Sequence, residues 1–139
     1  MTSPANLAAA SRDSYLAVRR VERQQALIEL LHAAHGNRLR IDQLATDLRV
    51  SPRTLVRDVD RLRSSGVPIR THRGRGGGLS ISPVVAVRVI SFDLPEVAAL
   101  ISSLTVLGPT VSSSATSAMH KLLEALQTTR CHPPAAGKP

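Results

Sequence analysis

A chain of 139 residues with a formal net charge of +8 holds one domain, or one small domain and an appendage. One Tyr, one Phe and no Trp leave it poorly equipped to bind single strands by stacking bases on aromatic rings. Its single cysteine, Cys131, excludes an intramolecular disulfide and points to a cytoplasmic setting; no apolar run approaches the roughly 20 residues of a membrane span.

The charge is unevenly spread. Residues 1–82 hold 14 Arg/Lys and 7 Asp/Glu, a net of +7, whereas residues 83–139 hold 4 and 3, a net of +1. High-GC coding would explain why arginine outnumbers lysine, but not this asymmetry. A basic half points to a polyanionic partner, nucleic acid first among them.

Residues 1–13 are small and polar, lack the apolar core of a signal peptide, and are expected to be disordered. A long helix is predicted from about Ser14 to His35. Val21, Leu27, Ile28, Leu31 and Ala34 form its apolar face, with Leu30 alongside. Arg19, Arg20 and Arg23 cluster near its start, either as a solvated face or as contacts to a DNA backbone, which position a protein without specifying sequence. Gly36-Asn37 reads as the end of this helix, and Arg38 to Ile41 as a short strand.

The next stretch, IDQLATDLRVSPRTLVRDVDRLR over 41–63, reads as two short helices joined by a tight turn. Asp42 to Leu48 places Leu44, Ala45 and Leu48 on one side. Arg49-Val50 breaks that pattern. Ser51 before Pro52 is a helix start, because a serine oxygen accepts an orphan backbone N–H and proline leaves none at the first position. The second helix runs to about Ser64 with Leu55, Val59 and Leu62 as its buried stripe. Arg53, Thr54, Arg57 and Arg61 fall mostly on the other side. This is the helix-turn-helix pattern, whose second helix, here about 52–64, lies in the DNA major groove.

Ser65-Gly66 closes that helix. Val67 to His72 alternates, and Leu79 to Ser82 resumes the alternation after Arg73-Gly74-Arg75-Gly76-Gly77-Gly78. Two alternating runs around a glycine-rich turn read as a β-hairpin. A helix-turn-helix followed by a hairpin is a winged helix, with Arg73 and Arg75 at the wing tip 73–78 where they reach backbone or minor groove. The glycines are not a P-loop, since no Gly-Lys-Ser/Thr follows.

Residues 83–91 read as a connector whose β-branched content favours an extended chain. A helix is predicted from Asp93, with Asp93 and Glu96 as a capping box and Val97, Leu100, Ile101, Leu104 and Leu107 as its stripe. Gly108-Pro109 stops it. The serines 112–114 cap a further helix from about Ala115 to Thr128, and 129–139 is a disordered tail.

The candidate DNA-binding residues are therefore Arg53, Thr54, Arg57, Arg61 and Ser51 on or before the recognition helix, Arg73 and Arg75 on the wing, and Arg23 on the first helix. Arginine can bind guanine O6/N7 bidentately. Asp58 reads as a salt-bridge partner of Arg61 or Arg63. His32 and His35 share a helix face, but no carboxylate or cysteine joins them at ligand spacing, so no metal, cofactor or catalytic site is expected.

Several motifs fall in order over 20–82: Arg23 with Leu27-Ile28, Leu44-Ala45 with Leu48, Val50-Ser51 before Arg53-Thr54, Arg57-Asp58 with Leu62, Gly66-Val67-Pro68-Ile69, then Arg73-Gly74 and Gly76-Gly77-Gly78. In these the chain resembles the DeoR-type winged helix-turn-helix that opens the WYL-domain transcriptional regulators. Residues 92–127 resemble, more loosely, that family's helical linker. Leu79 stands where the family usually has an aromatic. The resemblance implies sequence-specific binding of double-stranded DNA, usually as a homodimer. The chain departs from the family in stopping where the WYL sensor domain is expected to begin, so no small-molecule effector is expected.

The expected architecture is mainly α with a small β-hairpin (α+β): a winged helix-turn-helix over 14–82, the connector, and a helical linker or dimerisation hairpin over 92–128. The expected function is transcriptional regulation rather than catalysis. The alternative is a winged-helix protein-interaction or dimerisation module, which has no need of Arg53, Arg57, Arg61 and Arg63 together.

Overall fold

A computed structural model describes residues 4–83, 89–108 and 111–128. The elements follow in the order α1 (Pro4–Ala33), α2 (Ile41–Asp47), α3 (Pro52–Ser64), β1 (Ile69–His72), β2 (Gly78–Ile81), α4 (Leu94–Leu107) and α5 (Ser113–Thr128). The chain divides into two compact units, Met1–Arg88 and Val89–Pro139.

α1 starts ten residues before the expected Ser14, inside the segment expected to be disordered. The reason is local. Ala8, Ala9 and Ala10 belong to the residue type of highest helix propensity, and proline is tolerated in a first turn. Once Leu27 and Leu31 anchor the C-terminal half in the core, extending the helix backwards adds one hydrogen bond per residue without a new nucleus. Residues 11–20 are exposed apart from a half-buried Val18.

The core of the first unit draws on every element. Leu27 and Leu31 come from α1, Leu44 and Ala45 from α2, Leu55, Val59 and Leu62 from α3, Ile69 from β1, and Leu79 and Ile81 from β2. Ile28 and Leu30 pack against it only partly buried. Each apolar stripe is one face of an amphipathic helix, so the core closes only when the three helices and the hairpin meet.

β1 and β2 pair antiparallel in the register Ile69↔Ile81, Arg70↔Ser80, Thr71↔Leu79 and His72↔Gly78. The strand expected over 38–41 is a single bridge. Leu39 and Leu79 exchange backbone hydrogen bonds of 2.9 and 2.8 Å, and Ile41 already opens α2. β2 thus lies between Leu39 and β1, and all four of its residues are buried. A Cβ on Gly78 would collide with the Leu39 carbonyl, so only glycine lets these two strands close.

In the second unit, Asp93 caps α4 by the expected box: Glu96 N–H donates to its carboxylate at 2.9 Å, and Asp93 N–H donates to Glu96 at 2.8 Å. Gly108 ends α4 with φ +89°, and Ser112 Oγ accepts from Ala115 N–H at 3.0 Å at the start of α5. α4 and α5 pack against each other. The expectations for 84–88, for Pro109 and for the tail 129–139 fall outside the described residues.

Candidate nucleic-acid interface

α3 is held from behind and open in front. Its start is built as the sequence dictates: Thr54 N–H donates to Ser51 Oγ at 3.2 Å, and Pro52 stands in the first turn. Ahead of it, Val50 N–H donates to Ala45 O at 2.9 Å, and Arg49 turns the chain with φ +54°. That turn aims α3 across α2. Leu55, Asp58, Val59 and Leu62 are buried. The strip opposite them is Arg53, Arg57, Asp60 and Ser64, at i, i+4, i+7 and i+11, and all four are exposed.

Thr54 and Arg61 lie on one flank rather than at the centre of this strip. Thr54 is half-buried, with Oγ1 2.9 Å from Ser51 Oγ. Arg61 donates to Asp58 Oδ1 at 3.3 Å, yet its side chain stays 51 % exposed. Arg53 and Arg57 are exposed and have no hydrogen-bond or ion-pair partner among the described residues, so their guanidinium forks are free to meet a ligand.

On the first helix, Arg23 is engaged within the fold. Arg23 Nε lies 2.5 Å from Asp58 Oδ2, and Gln24 donates to Asp58 Oδ1 at 3.4 Å. Asp58 is fully buried and the Arg23 side chain is only 22 % exposed. Three donors therefore satisfy one buried carboxylate, and two of them, Arg23 and Gln24, tie α1 to the back of α3. Asp58 pairs with Arg61, as one of the two expected partners; Arg63 is not involved. Arg19 is also occupied, donating to Tyr15 Oη at 3.0 Å and to Glu22 at 3.1 Å. These two hydrogen bonds, Tyr15 first, raise its pKa above the ordinary value. Of the three clustered arginines, only Arg20 is exposed with no partner among the described residues.

The other flank of α3 faces β1 across a groove of about 600 Å³. Val56, Asp60 and Arg63 line it from the helix, Arg70, His72 and Arg73 from the hairpin side. Arg63 and Arg70 were not among the candidate DNA-binding residues read from the sequence. The signal existed: Arg63 follows Val56 at i+7, and Arg70 alternates with the buried Ile69. Beyond the groove, Arg73 and Arg75 are exposed in the wing turn, where Gly74 and Gly76 take φ of +90° and +81°. Gly77 N–H donates to Gly74 O at 2.8 Å, and a Cβ on Gly77 would stand 2.5 Å from His72 O. The wing is thus a closed glycine turn that carries two guanidinium groups outward.

Residues 23–78 match the family model of a helix-turn-helix (HTH) domain. The matched stretch opens on Arg23, the residue that locks α1 to α3, and closes on Gly78, the residue that seats β2 against Leu39. An HTH domain at this position supports a DNA-binding regulator, a class that is typically non-enzymatic. No solved structure matches the chain. No helix among the described residues is long and apolar enough to cross a membrane, and no group of three or more His, Cys, Asp or Glu among them is arranged to hold a metal ion.

Proposed function

We propose that this protein is a sequence-specific regulator of transcription that binds double-stranded DNA through a DeoR-type winged helix-turn-helix, as in the WYL-domain regulators. α3 enters the major groove, Arg53 and Arg57 read base edges, and the wing arginines Arg73 and Arg75 hold backbone or minor groove. Ser51 and Thr54 sit at the N-terminus of α3, where backbone N–H groups favour a phosphate. The observation that carries this reading is the state of α3. Its back is locked by apolar packing and by the Arg23–Asp58 pair, while Arg53 and Arg57 stand exposed on its front with no partner among the described residues.

The protein acts as a homodimer. α4 and α5 form a helical hairpin whose Leu94, Leu100, Val106 and Leu123 remain exposed, and an isologous pairing of two hairpins supplies two recognition helices for a pseudo-palindromic site. Light scattering after size exclusion checks this; a monomer at micromolar concentration would count against it.

Fluorescence anisotropy with a labelled duplex from upstream of its own gene tests the main reading. We expect binding that survives competition by a scrambled duplex at physiological salt, and that Arg57→Ala abolishes this preference. No binding to any duplex, even at low salt, would leave the winged helix as a protein-interaction module.

A further inference from the structure

The exposed strip of α3 is not uniformly basic. Asp60 stands on it between Arg57 and Ser64. Its carboxylate has no hydrogen-bond or ion-pair partner among the described residues, although Arg57, Arg61 and Arg63 are all within one turn along the helix. Val56, one turn before Asp60, is 43 % exposed, an apolar side chain on an otherwise charged face. Both line the groove between α3 and β1.

On a surface that meets a polyanion, a free carboxylate is repelled by phosphate, so it weakens non-specific binding. It is favourable only opposite a hydrogen-bond donor, and the major groove offers two, the amino groups of cytosine and adenine. Adenine places its N7 acceptor beside its amino group, which repels a carboxylate. Cytosine presents the donor alone. The exposed Val56, on the flank beside that strip and in the same groove, finds one apolar partner among the base edges, the thymine methyl. Four residues of helix separate the two side chains by about 6 Å along the axis, just under two steps of 3.4 Å along a DNA strand.

We propose that Val56 and Asp60 are the specificity-determining pair of this recognition helix, Asp60 accepting from a cytosine amino group and Val56 packing on a thymine methyl within two base pairs of it. This assignment rests on the DNA-binding reading above and deepens it. Arg53 and Arg57 supply attraction and guanine contacts, while the pair rejects wrong sequences: without the cytosine, Asp60 faces an acceptor or a phosphate with nothing to bond.

Selection from a pool of randomised duplexes, run with the full chain and with Asp60→Ala, Asp60→Asn and Val56→Ala, tests it. Both positions are exposed, and circular dichroism checks that each variant keeps the helical content of the parent. The parent is expected to enrich a cytosine at one position of each half-site by on the order of tenfold. Asp60→Ala loses that preference and no other. Asp60→Asn moves it to adenine, because an amide can both accept from N6 and donate to N7. Replacing the nearby thymine by uracil weakens the parent several-fold and leaves Val56→Ala unchanged. If the parent enriches a consensus and all variants enrich the same one, the pair assignment fails and the regulator reading stands. If the parent enriches nothing, the sequence-specific reading fails and the pair assignment with it.

Discussion

Arg23 and Asp58, 35 residues apart in the chain, meet at 2.5 Å on the buried side of α3. Asp58 sits on α3 one position after Arg57, so the residue that faces solvent and the residue that anchors the helix are neighbours. The pair fixes the rotation of α3 about its axis, and with it the direction in which Arg53 and Arg57 point. Removing Arg23 takes away the shortest of three contacts and leaves the buried carboxylate with only the longer, more exposed Arg61 pair at 3.3 Å and Gln24 at 3.4 Å.

Arg23→Ala is therefore expected to destabilise the domain by about 3 kcal/mol, read from urea unfolding. Arg23→Lys recovers only part of this, since an ammonium lacks the guanidinium fork. Under conditions where the variant stays folded, its DNA affinity falls while the slope of log K against log salt does not change. A slope shallower by about one would mean that Arg23 touches a phosphate after all.

The wing arginines predict the opposite signature. Arg73→Ala and Arg75→Ala remove no hydrogen bond or ion pair among the described residues and leave the melting temperature unchanged. Each weakens binding to specific and scrambled duplexes alike and lowers the salt slope by about 0.9 for each phosphate no longer neutralised. Titration at several salt concentrations separates this from Arg57→Ala, which removes about 1–3 kcal/mol of preference for the right base.

Ser51→Ala removes the cap of α3. The expected loss is about 1 kcal/mol of stability, seen as a lower denaturation midpoint. Ser51→Asp keeps an acceptor for Thr54 N–H and restores most of that stability. It nonetheless weakens DNA binding if the N-terminus of α3 lies against a phosphate.

Gly78 and Arg49 test the backbone from two sides. Gly78→Ala drives a Cβ into the Leu39 carbonyl and is expected to destabilise by about 3 kcal/mol, with early loss of amide protection at Leu39 and Leu79. Arg49 holds a left-handed φ of +54°, which disfavours an L side chain by about 1–2 kcal/mol. Arg49→Gly relieves this but gives the unfolded chain more freedom, worth about 0.4–1 kcal/mol. The net expectation is a gain of about 0.5 kcal/mol in denaturant titration. Any loss of DNA affinity beyond that expected for one charge would mark Arg49 as a contact.

The sequence alone determined the elements and their punctuation. Leu55, Val59 and Leu62 recur at helical spacing, Ser51-Pro52 and Asp93 with Glu96 announce helix starts, and the glycines of 74–78 announce a turn. All of these signals act within a few residues, through backbone sterics and nearest hydrogen bonds, so they are legible without knowing the fold. Periodicity assigns a residue to a face, but it does not say what that face meets. Only the tertiary structure decided that Arg23 turns inward to Asp58, that Arg61 shares that carboxylate, that Arg63 and Arg70 flank one groove, and that Asp60, on the front of α3, has no side-chain partner among the described residues. It also decided that Gly78 must be glycine for Leu39's sake rather than for its own turn. These outcomes depend on which turns of α1, α3 and β2 are brought into register, and that register is set by packing between segments 35 residues or more apart.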